Sequence, residues 1–335
     1  MSTPITQNNS EDILDLTLRP RSWESYIGQD KTKNNIKIII QAAQKRKDAV
    51  EHLLFYGNPG LGKTTLAHLV ANEIGADIRI TSGPAIERAG DLAAILTNLK
   101  QGSILFIDEV HRLSRIVEEY LYPAMEDFKL NLILGKGPMA RTMELNLPKF
   151  TLIGATTKLA SISGPLRSRF GAIFGLNFYT QEDIEKILER SCRILDVSST
   201  KEALEMIASR ARFTPRTANH LLKRVRDFAQ VKHSGNITKE VVEDAFSCLE
   251  IDNLGLTPND KRFLEVLINK FNGGPVGIQT LAAATAEEES AILDIYEPYL
   301  MRIGLIARTP QGRVATKMAF AHLGISSKNL PKILF

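Results

Sequence analysis

The sequence predicts an α/β domain with a parallel sheet, followed by a small all-α domain and a C-terminal winged-helix domain. Short apolar strands alternate with helices up to about residue 179. From about Thr180 the strand pattern stops and amphipathic helices follow. Near the C-terminus, three helices precede two short strands. We therefore divide the chain into residues 1–179, 180–251 and 252–335, which are ordinary domain sizes.

The predicted sheet lies in the first domain. Its strands are short and apolar throughout, and helical segments separate them. This arrangement is typical of a parallel sheet that is covered on both faces. The predicted elements are a helix over Lys31–Lys47, a strand over His52–Tyr56, a helix over Lys63–Ile74, and strands over Ser103–Ile107 and Phe150–Ala155.

The rest of the chain is predicted to be mostly helical. In the second domain Thr200 and Thr238 are candidate N-caps, and the predicted helices cover residues 181–195, 200–212, 215–232 and 238–249. A linker over Asp252–Pro258 leads to the third domain. Its predicted elements are helices over residues 258–271, 277–284 and 287–303 and strands over 305–308 and 313–316. Three helices followed by a hairpin are typical of a winged helix.

The composition is that of a globular protein, with 335 residues, 44% hydrophobic residues and a net charge of +4. It excludes a disordered chain and a disulfide scaffold. The apolar runs stop far short of the roughly 20 residues that span a membrane. The first 17 residues lack a leader pattern, so we expect a cytoplasmic protein. Cys192 and Cys248 form no CxxC pair, and we expect them to be packed thiols.

The strongest motif follows the first predicted strand. Residues 57–64 match the phosphate-loop pattern G-x-x-x-x-G-K-[ST] between a strand and a helix. The glycines let backbone N–H groups turn toward phosphate oxygens, and the helix N-terminus adds partial positive charge. Lys63 would contact the β- and γ-phosphates, Thr64 would bind Mg²⁺, and Thr65 would lie near the α-phosphate. The candidate residues of this loop are Gly57, Gly60, Gly62, Lys63, Thr64 and Thr65.

A pair of carboxylates, Asp108 and Glu109, follows the strand over Ser103–Ile107. Doubly wound sheets place their chemistry at the carboxyl ends of strands. Asp108 would complete the Mg²⁺ site, and Glu109 would polarise the water that attacks the γ-phosphate. Together with the phosphate loop, this pair predicts a P-loop NTPase that uses ATP and Mg²⁺.

Three further motifs accompany this pair, namely Gly154–Thr157, Ser168–Phe170 and Thr214–Arg216. With the helical second domain, they resemble those of the AAA+ ATPases. The resemblance implies that Thr157, with Thr156 beside it, senses the γ-phosphate. It also implies that Arg169 acts on the ATP of a neighbouring subunit and that Arg216 touches the nucleotide. An arginine supplied by another subunit would stabilise the charge of phosphoryl transfer and couple hydrolysis to assembly.

Five segments give a closer resemblance, namely residues 18–20, 26–29, 60–67, 106–113 and 165–171. They resemble the RuvB family of bacterial Holliday junction branch migration ATPases, from about residue 14 to 330. The resemblance implies an ATP-driven motor that moves duplex DNA in recombination, DNA repair and the SOS response. It implies a homo-oligomeric ring, expected to be a hexamer, that acts with RuvA and RuvC on Holliday junction arms of any sequence.

The same resemblance implies further contacts with the nucleotide. Two pairs of residues, Leu18 with Arg19 and Tyr26 with Ile27, would contact the adenine and ribose. Other parts of the nucleotide would be contacted by Glu126, Asp127, Phe128 and Tyr179. Asn58 and Lys158 depart from the residues that are usual in the family. Neither change removes a group that contacts phosphate. We therefore expect the two departures to affect the rate of hydrolysis and not the ability to hydrolyse ATP.

A β-hairpin is predicted between the acidic strand and the strand over Phe150–Ala155. Residues 129–147 form two alternating strands with leucine and methionine on one face. Such a face can pack on its own domain, or it can be a docking surface because an inserted hairpin has little core of its own. The family resemblance favours docking and implies contact with RuvA through Leu134, Met143 and Leu145.

The third domain has an uneven charge distribution. Residues 281–300 hold five acidic residues and no Lys or Arg, whereas residues 301–335 hold six basic residues and no Asp or Glu. The third helix would repel DNA phosphates, so we expect the hairpin of the winged helix to bind the DNA backbone through Arg308 and Arg313. The alternative is a basic tail that is merely solvated.

Two other AAA+ functions share parts of this pattern. A clamp loader subunit has the same ATPase core, but it would lack a terminal winged helix. A replication initiator uses ATP as an assembly switch and binds a defined DNA sequence, which the acidic third helix argues against. A protein unfoldase fits less well because the sequence has no aromatic pore-loop motif. The sequence therefore favours an ATP-hydrolysing, sequence-independent DNA translocase.

Overall fold

The computed structural model describes residues 16–134 and 141–325. The chain folds as two compact units, residues 1–179 and 180–335. The elements of the first unit are α1 (Asp30–Arg46), β1 (Leu53–Tyr56), α2 (Lys63–Ile74), β2 (Ile78–Ser82), α3 (Ala89–Thr97), β3 (Ile104–Asp108), α4 (Arg115–Glu126), β4 (Lys129–Leu134), β5 (Arg141–Asn146), β6 (Thr151–Thr156), α5 (Gly164–Ser168) and β7 (Ala172–Gly175).

A five-stranded parallel sheet organises the first unit, in the order β2-β3-β6-β1-β7. The three predicted strands are its central strands β1, β3 and β6, and almost all of their residues are buried. β6 lies between the other two and pairs Ile153 with Leu53 and with Phe106. The carboxyl ends of these three strands therefore meet at one edge of the sheet.

The predicted hairpin is confirmed and consists of β4 and β5. Leu130 pairs with Leu145 across it, so these two leucines lie on the same face. At the base of the hairpin Leu130 and Leu147 are buried, and Leu145 packs against the same core. Met143 is 44% exposed. The base thus packs on its own domain and Met143 is accessible, while the side chain of Leu134 lies outside the described residues.

The second unit contains the helices of the predicted second domain, here called the lid helices, and the winged helix. Its elements are α6 (Gln181–Leu195), α7 (Lys201–Ser209), α8 (Pro215–Lys232), α9 (Lys239–Cys248), α10 (Pro258–Glu265), α11 (Ile278–Thr285), α12 (Glu289–Ala291), α13 (Glu297–Arg302), β8 (Ile306–Thr309), β9 (Gly312–Ala315) and α14 (Lys317–His322). A π-helical turn extends α10 to Lys270, and another joins α12 to α13. Threonine N-caps begin six of these helices, α6 to α10 and α14, as Thr200 and Thr238 were predicted to do.

The hairpin of the winged helix places its two arginines differently. Arg308 and Arg313 face each other in the register of β8 and β9. Arg308 is exposed, whereas Arg313 is 6% exposed and pairs with Glu297, which is itself 3% exposed. The prediction that Arg313 contacts DNA does not fit this placement, because the backbone of Arg313 also pairs with Val276 and its side chain points into the domain.

The same pair bears on the prediction that the acidic third helix repels DNA phosphates. Glu297 begins α13 and its charge is neutralised in the core by Arg313. Glu287 accepts a hydrogen bond from the Tyr296 hydroxyl, 3.0 Å away. Because the Glu297 carboxylate is buried and paired with Arg313, the helix presents less negative charge than the sequence predicts.

Buried polar contacts join the lid helices to the winged helix. Arg212, just after α7, forms an ion pair with Asp260 of α10, and Asp260 is 1% exposed. Arg212 also donates to the carbonyl of Gly255 at 3.1 Å. The Tyr299 hydroxyl donates to the Leu254 carbonyl, and burial raises the pKa of Tyr299 to about 12. The linker over Asp252–Pro258 is therefore held in place by its neighbours on both sides.

Two further predictions concern membranes and cysteines. In residues 16–134 and 141–325, no helix has the length and apolar character to span a bilayer. Cys192 is buried in α6, and burial raises the pKa of its thiol. Cys248 ends α9 and is exposed, so the prediction of packed thiols fits Cys192 and not Cys248.

Candidate nucleotide site

The phosphate loop connects β1 to α2, as predicted. Gly62 precedes α2 with φ of 96°, a conformation that side chains disfavour. A Cβ atom on Gly62 would lie 2.8 Å from the Tyr26 hydroxyl. Gly62 is therefore required both by its backbone conformation and by the close approach of Tyr26. The first backbone N–H groups of a helix have no acceptor within the helix, so the start of α2 is suited to bind an anion.

Lys63 begins α2 and is only 7% exposed. Its amine donates to the carbonyls of Gly57 at 2.7 Å and Asn58 at 3.1 Å. The ammonium group thus lies inside the loop, where a bound phosphate would be. Asn58, which departs from the family pattern, takes part through its backbone carbonyl, so the side chain at this position is not needed for the contact. Thr64 and Thr65 follow and are half-buried.

Two tyrosines support the loop from behind. The Tyr26 hydroxyl lies 3.4 Å from the carbonyl of Leu61, and the Tyr179 hydroxyl lies 3.2 Å from that carbonyl and 3.2 Å from the Tyr26 hydroxyl. Both side chains are 3% exposed. Burial raises the pKa of Tyr26 well above its usual value, and Tyr179 adds to the shift. The phenol is therefore neutral and can donate its proton to the loop.

Asp108 and Glu109 lie at the end of β3. An Asp108 carboxylate oxygen accepts the backbone N–H of Glu109 at 2.9 Å. Glu109 has φ of 48°, which is uncommon for a residue with a side chain. This turn comes so close to Gly83 that a Cβ atom there would lie 2.4 Å from the Glu109 carbonyl oxygen. Strained residues of this kind concentrate at functional sites.

The Glu109 carboxylate is held by two neighbours. The Thr157 hydroxyl donates to it at 3.2 Å, and His111 Nδ1 lies 3.1 Å from the same oxygen. His111 Nδ1 also lies 2.9 Å from the Thr156 hydroxyl. The structure therefore brings the acid pair and the paired threonines together. His111 is a functional residue that no predicted motif includes, although its position two residues after Glu109 in a short helical turn is a usable signal.

Thr64 and Asp108 are the candidate Mg²⁺ ligands. A hydroxyl and a carboxylate are the hard oxygen donors that Mg²⁺ prefers, with waters and phosphate oxygens completing the shell. Both side chains are half-exposed at the ends of neighbouring elements. The residues present thus fit a Mg²⁺–nucleotide complex.

The predicted base contacts lie before α1. Leu18 is 2% exposed, and Arg19 and Ile27 are half-buried. Burial lowers the pKa of His68 in α2, and the charge of Arg19 lowers it further. Arg19 is therefore near the helix that carries the phosphate loop.

Arg169 and residues 126–128 form a separate group. Arg169 lies over the ring of Tyr122, 4.3 Å from its centroid, and its Nε lies 3.2 Å from a Glu126 carboxylate oxygen. Glu126 and Asp127 are exposed, and Phe128 is half-buried with φ of 54°. Within the described residues, the contacts of Arg169 are with α4 and α5 and not with the phosphate loop. Arg216 belongs to the second unit and is exposed on the first turn of α8.

Comparison with known proteins places this architecture in a family. The model of the Holliday junction DNA helicase RuvB P-loop domain matches residues 18–176, that of the RuvB AAA lid domain matches 179–252, and that of the RuvB C-terminal winged helix domain matches 253–324. A RuvB subunit of the Holliday junction branch migration complex from Dehalococcoides mccartyi (strain CBDB1) is 58% identical over 316 residues, which are 94% of this chain and 90% of the relative.

A second relative and a solved structure indicate the same family. The corresponding RuvB subunit from Chloroflexus aurantiacus (strain ATCC 29366 / DSM 635 / J-10-fl) is 57% identical over 318 residues, which are 95% of this chain and 91% of the relative. Among solved structures, the Thermotoga maritima RuvB Holliday junction branch migration motor superposes with a TM-score of 0.85 at 43% identity, over 92% of this chain and 99% of that chain. The resemblance found in the sequence is confirmed, and this chain belongs to the RuvB family.

Proposed function

We propose that this chain is the ATP-hydrolysing motor that drives branch migration of Holliday junctions in homologous recombination and DNA repair. Membership of the RuvB family supports this function. The observation that carries it in this structure is the meeting of three strand ends at one edge of the sheet: the phosphate loop after β1, the acid pair after β3 and the paired threonines after β6. This edge is where parallel α/β sheets bind their ligands.

In this mechanism Lys63 gives up its hydrogen bonds to the loop carbonyls and donates to the β- and γ-phosphates of ATP. Bound Mg²⁺, held by Thr64 and Asp108, would supply positive charge to the phosphates. Glu109 accepts a proton from the attacking water, and the contact with Thr157 fixes the orientation of its carboxylate before ATP binds. Thr157 can then turn its hydroxyl toward the γ-phosphate, which makes it the sensor that the family resemblance implies.

We further propose that neighbouring subunits share each site. Arg169 would act on the ATP of the next subunit in a ring, taken to be a hexamer. Because Glu126 contacts Arg169, we place residues 126–128 at the same surface. Leu18, Arg19 and Ile27 would bind the adenine and ribose, with Tyr26 and Tyr179 fixing the loop beside them. Arg216, exposed on α8, would bring the lid to the nucleotide.

DNA binding is assigned to the winged helix. Arg308 is exposed on the hairpin and would contact backbone phosphates of duplex arms of any sequence. Arg313 is omitted from this proposal because it is paired in the core. RuvA and RuvC are the proposed protein partners, with RuvA on the hairpin near Met143, and the cytoplasm is the proposed site of action.

Junction processing tests this function directly. With ATP, Mg²⁺ and RuvA, the chain should convert a synthetic four-way junction with homologous arms into duplex products, at similar rates for unrelated arm sequences. ATP hydrolysis should rise when the junction and RuvA are both added. Activity confined to one DNA sequence would indicate an initiator instead. Stimulation by a primed template and a ring-shaped clamp, without junction conversion, would indicate a clamp loader.

Changing Met143 to Asp tests the proposed RuvA surface. Because Met143 is 44% exposed, a charged residue there costs little stability, and ATP hydrolysis without RuvA should stay at the wild-type rate. Stimulation by RuvA with junction DNA should be lost, since a charge would be desolvated in an apolar contact. An exposed apolar residue elsewhere in the first unit, Ile116→Asp, is the matched control. Full stimulation of the Met143 variant would contradict the assignment.

A further inference from the structure

Three different groups surround the Arg169 guanidinium on its own subunit. The Tyr122 ring lies beneath it at 4.3 Å. The Glu126 carboxylate is 3.2 Å from Nε and 3.3 Å from Nη2. The Pro165 carbonyl accepts a hydrogen bond from Nη1 at 2.8 Å. As a result Arg169 is 22% exposed, which is low for an arginine that must act outside its own subunit.

Tyr122 is itself anchored on the opposite side. Its hydroxyl donates to the Glu118 carboxylate at 3.1 Å, and Glu118 is 4% exposed. The same carboxylate oxygen accepts the Ser163 hydroxyl at 2.6 Å. Burial raises the pKa of Tyr122, so the phenol keeps the proton that it donates. The ring is therefore fixed by its hydroxyl as well as by packing against the core.

Ser163 connects this anchor to the helix that carries Arg169. Its hydroxyl oxygen accepts the backbone N–H of Leu166 at 3.2 Å and so caps α5, while its proton goes to Glu118. Arg169 is the C-cap of the same five-residue helix. A single buried carboxylate thus sets both the plane of the Tyr122 ring and the start of the helix that ends at Arg169.

We propose that Tyr122 is a positioning residue for Arg169, which holds the guanidinium in the orientation from which it acts on the nucleotide of the neighbouring subunit. This inference rests on the proposed trans role of Arg169. An arginine side chain has four rotatable bonds, and an aromatic face restricts them through a cation–π contact without consuming its N–H donors. The ring occupies none of these donors, which would exchange Glu126 and the Pro165 carbonyl for a phosphate, and the plane of the fork is already set.

Replacing Tyr122 with Leu removes the ring and tests the proposal. The kcat of ATP hydrolysis should fall about tenfold, which is the loss of a partly desolvated cation–π contact expressed as a rate. The KM for ATP should stay within about twofold, since the nucleotide loop is untouched. Tyr122→Phe should stay within about twofold of the wild-type kcat because it keeps the ring. If the Leu variant does not assemble, Tyr122→Met removes the ring with an unbranched, flexible side chain that can adapt to the space left behind.

Mixed assemblies separate positioning from a structural defect. Subunits carrying Tyr122→Leu have an intact nucleotide site but a poorly placed arginine. Subunits carrying Glu109→Gln have a defective nucleotide site but a well-placed arginine. Mixing the two should raise hydrolysis above the sum of the separate variants, because Glu109→Gln subunits supply well-placed arginines. A fold defect within the Tyr122→Leu subunit would not be repaired in this way.

Two controls make the outcome decisive. Tyr120→Leu removes another half-buried tyrosine of α4, for which no contact with Arg169 exists among the described residues, and it should leave kcat unchanged. Arg169→Ala mixed with Glu109→Gln tests the trans role itself. If that mixture recovers activity and the Tyr122→Leu mixture does not, the positioning role is overturned while the trans role stands. If neither mixture recovers, the trans role and the inference fall together.

Discussion

Replacing Glu109 with Gln is expected to lower the kcat of ATP hydrolysis by about a hundredfold to ten-thousandfold. Glutamine cannot accept a proton from the attacking water, but it is nearly the same size and can still accept the Thr157 hydroxyl. The phosphate loop and the candidate Mg²⁺ ligands are unchanged. ATP binding should therefore be retained, and the variant should accumulate in the ATP-bound state. Steady-state hydrolysis and equilibrium dialysis with labelled ATP measure the two effects separately.

The matched control is Glu119→Gln, an exposed glutamate of α4 in the same unit. It should hydrolyse ATP at the wild-type rate. A Glu109→Gln variant that hydrolyses ATP as fast as the Glu119 control would exclude Glu109 as the base. A variant that loses ATP binding as well would indicate that Glu109 has a structural role at the strained turn after β3.

Replacing Arg313 with Ala is expected to destabilise the winged helix by about 3–5 kcal/mol, because it leaves the Glu297 carboxylate buried without its partner. In thermal unfolding this corresponds to a loss of about 10 °C in Tm. The double change Arg313→Met with Glu297→Leu should regain much of that stability, since it removes both charges and keeps the volume. Circular dichroism of the full chain at several temperatures measures all three proteins.

Arg308→Ala is the matched control, since Arg308 faces Arg313 across the hairpin but is exposed. It should leave Tm unchanged. It should weaken binding to unrelated duplexes equally and reduce the slope of log K against log salt by about one. The opposite pattern, a stable Arg313→Ala variant that fails to bind DNA, would indicate that Arg313 contacts DNA after all.

The strands show which part of the fold was predictable. The central strands β1, β3 and β6 are covered on both faces, so they are apolar throughout and stand out in the sequence. β2 and β7 were not predicted. They form the two edges of the sheet and are only partly buried, with Arg79 and exposed Ile80 in β2. An edge strand has solvent on one side, so its sequence mixes polar and apolar residues and resembles a loop.

The site shows a similar division. Lys63, Asp108, Glu109 and Thr157 could be named from the sequence because each belongs to a motif with fixed spacing. The supports of these residues could not. His111 is marked only by its position two residues after Glu109. Glu118 and Tyr122, behind Arg169, have no spacing that distinguishes them from other polar side chains on helices. Their roles depend on which elements pack together.

By itself the sequence determined the class of each domain, the nucleotide chemistry and the family, because these depend on local motifs and on the period of apolar residues. Only the tertiary structure decided which charged side chains are exposed and which are buried in ion pairs. Arg308 and Arg313 belong to the same hairpin and look equivalent in the sequence, yet one is exposed and the other is buried against Glu297. Because the two residues pair directly across the hairpin, their side chains lie on the same face of it. The burial of Arg313, and not of Arg308, is therefore set by the position of Glu297 at the start of α13, which no local pattern records. The net charge of +4 therefore overstates the positive charge available to DNA at the hairpin.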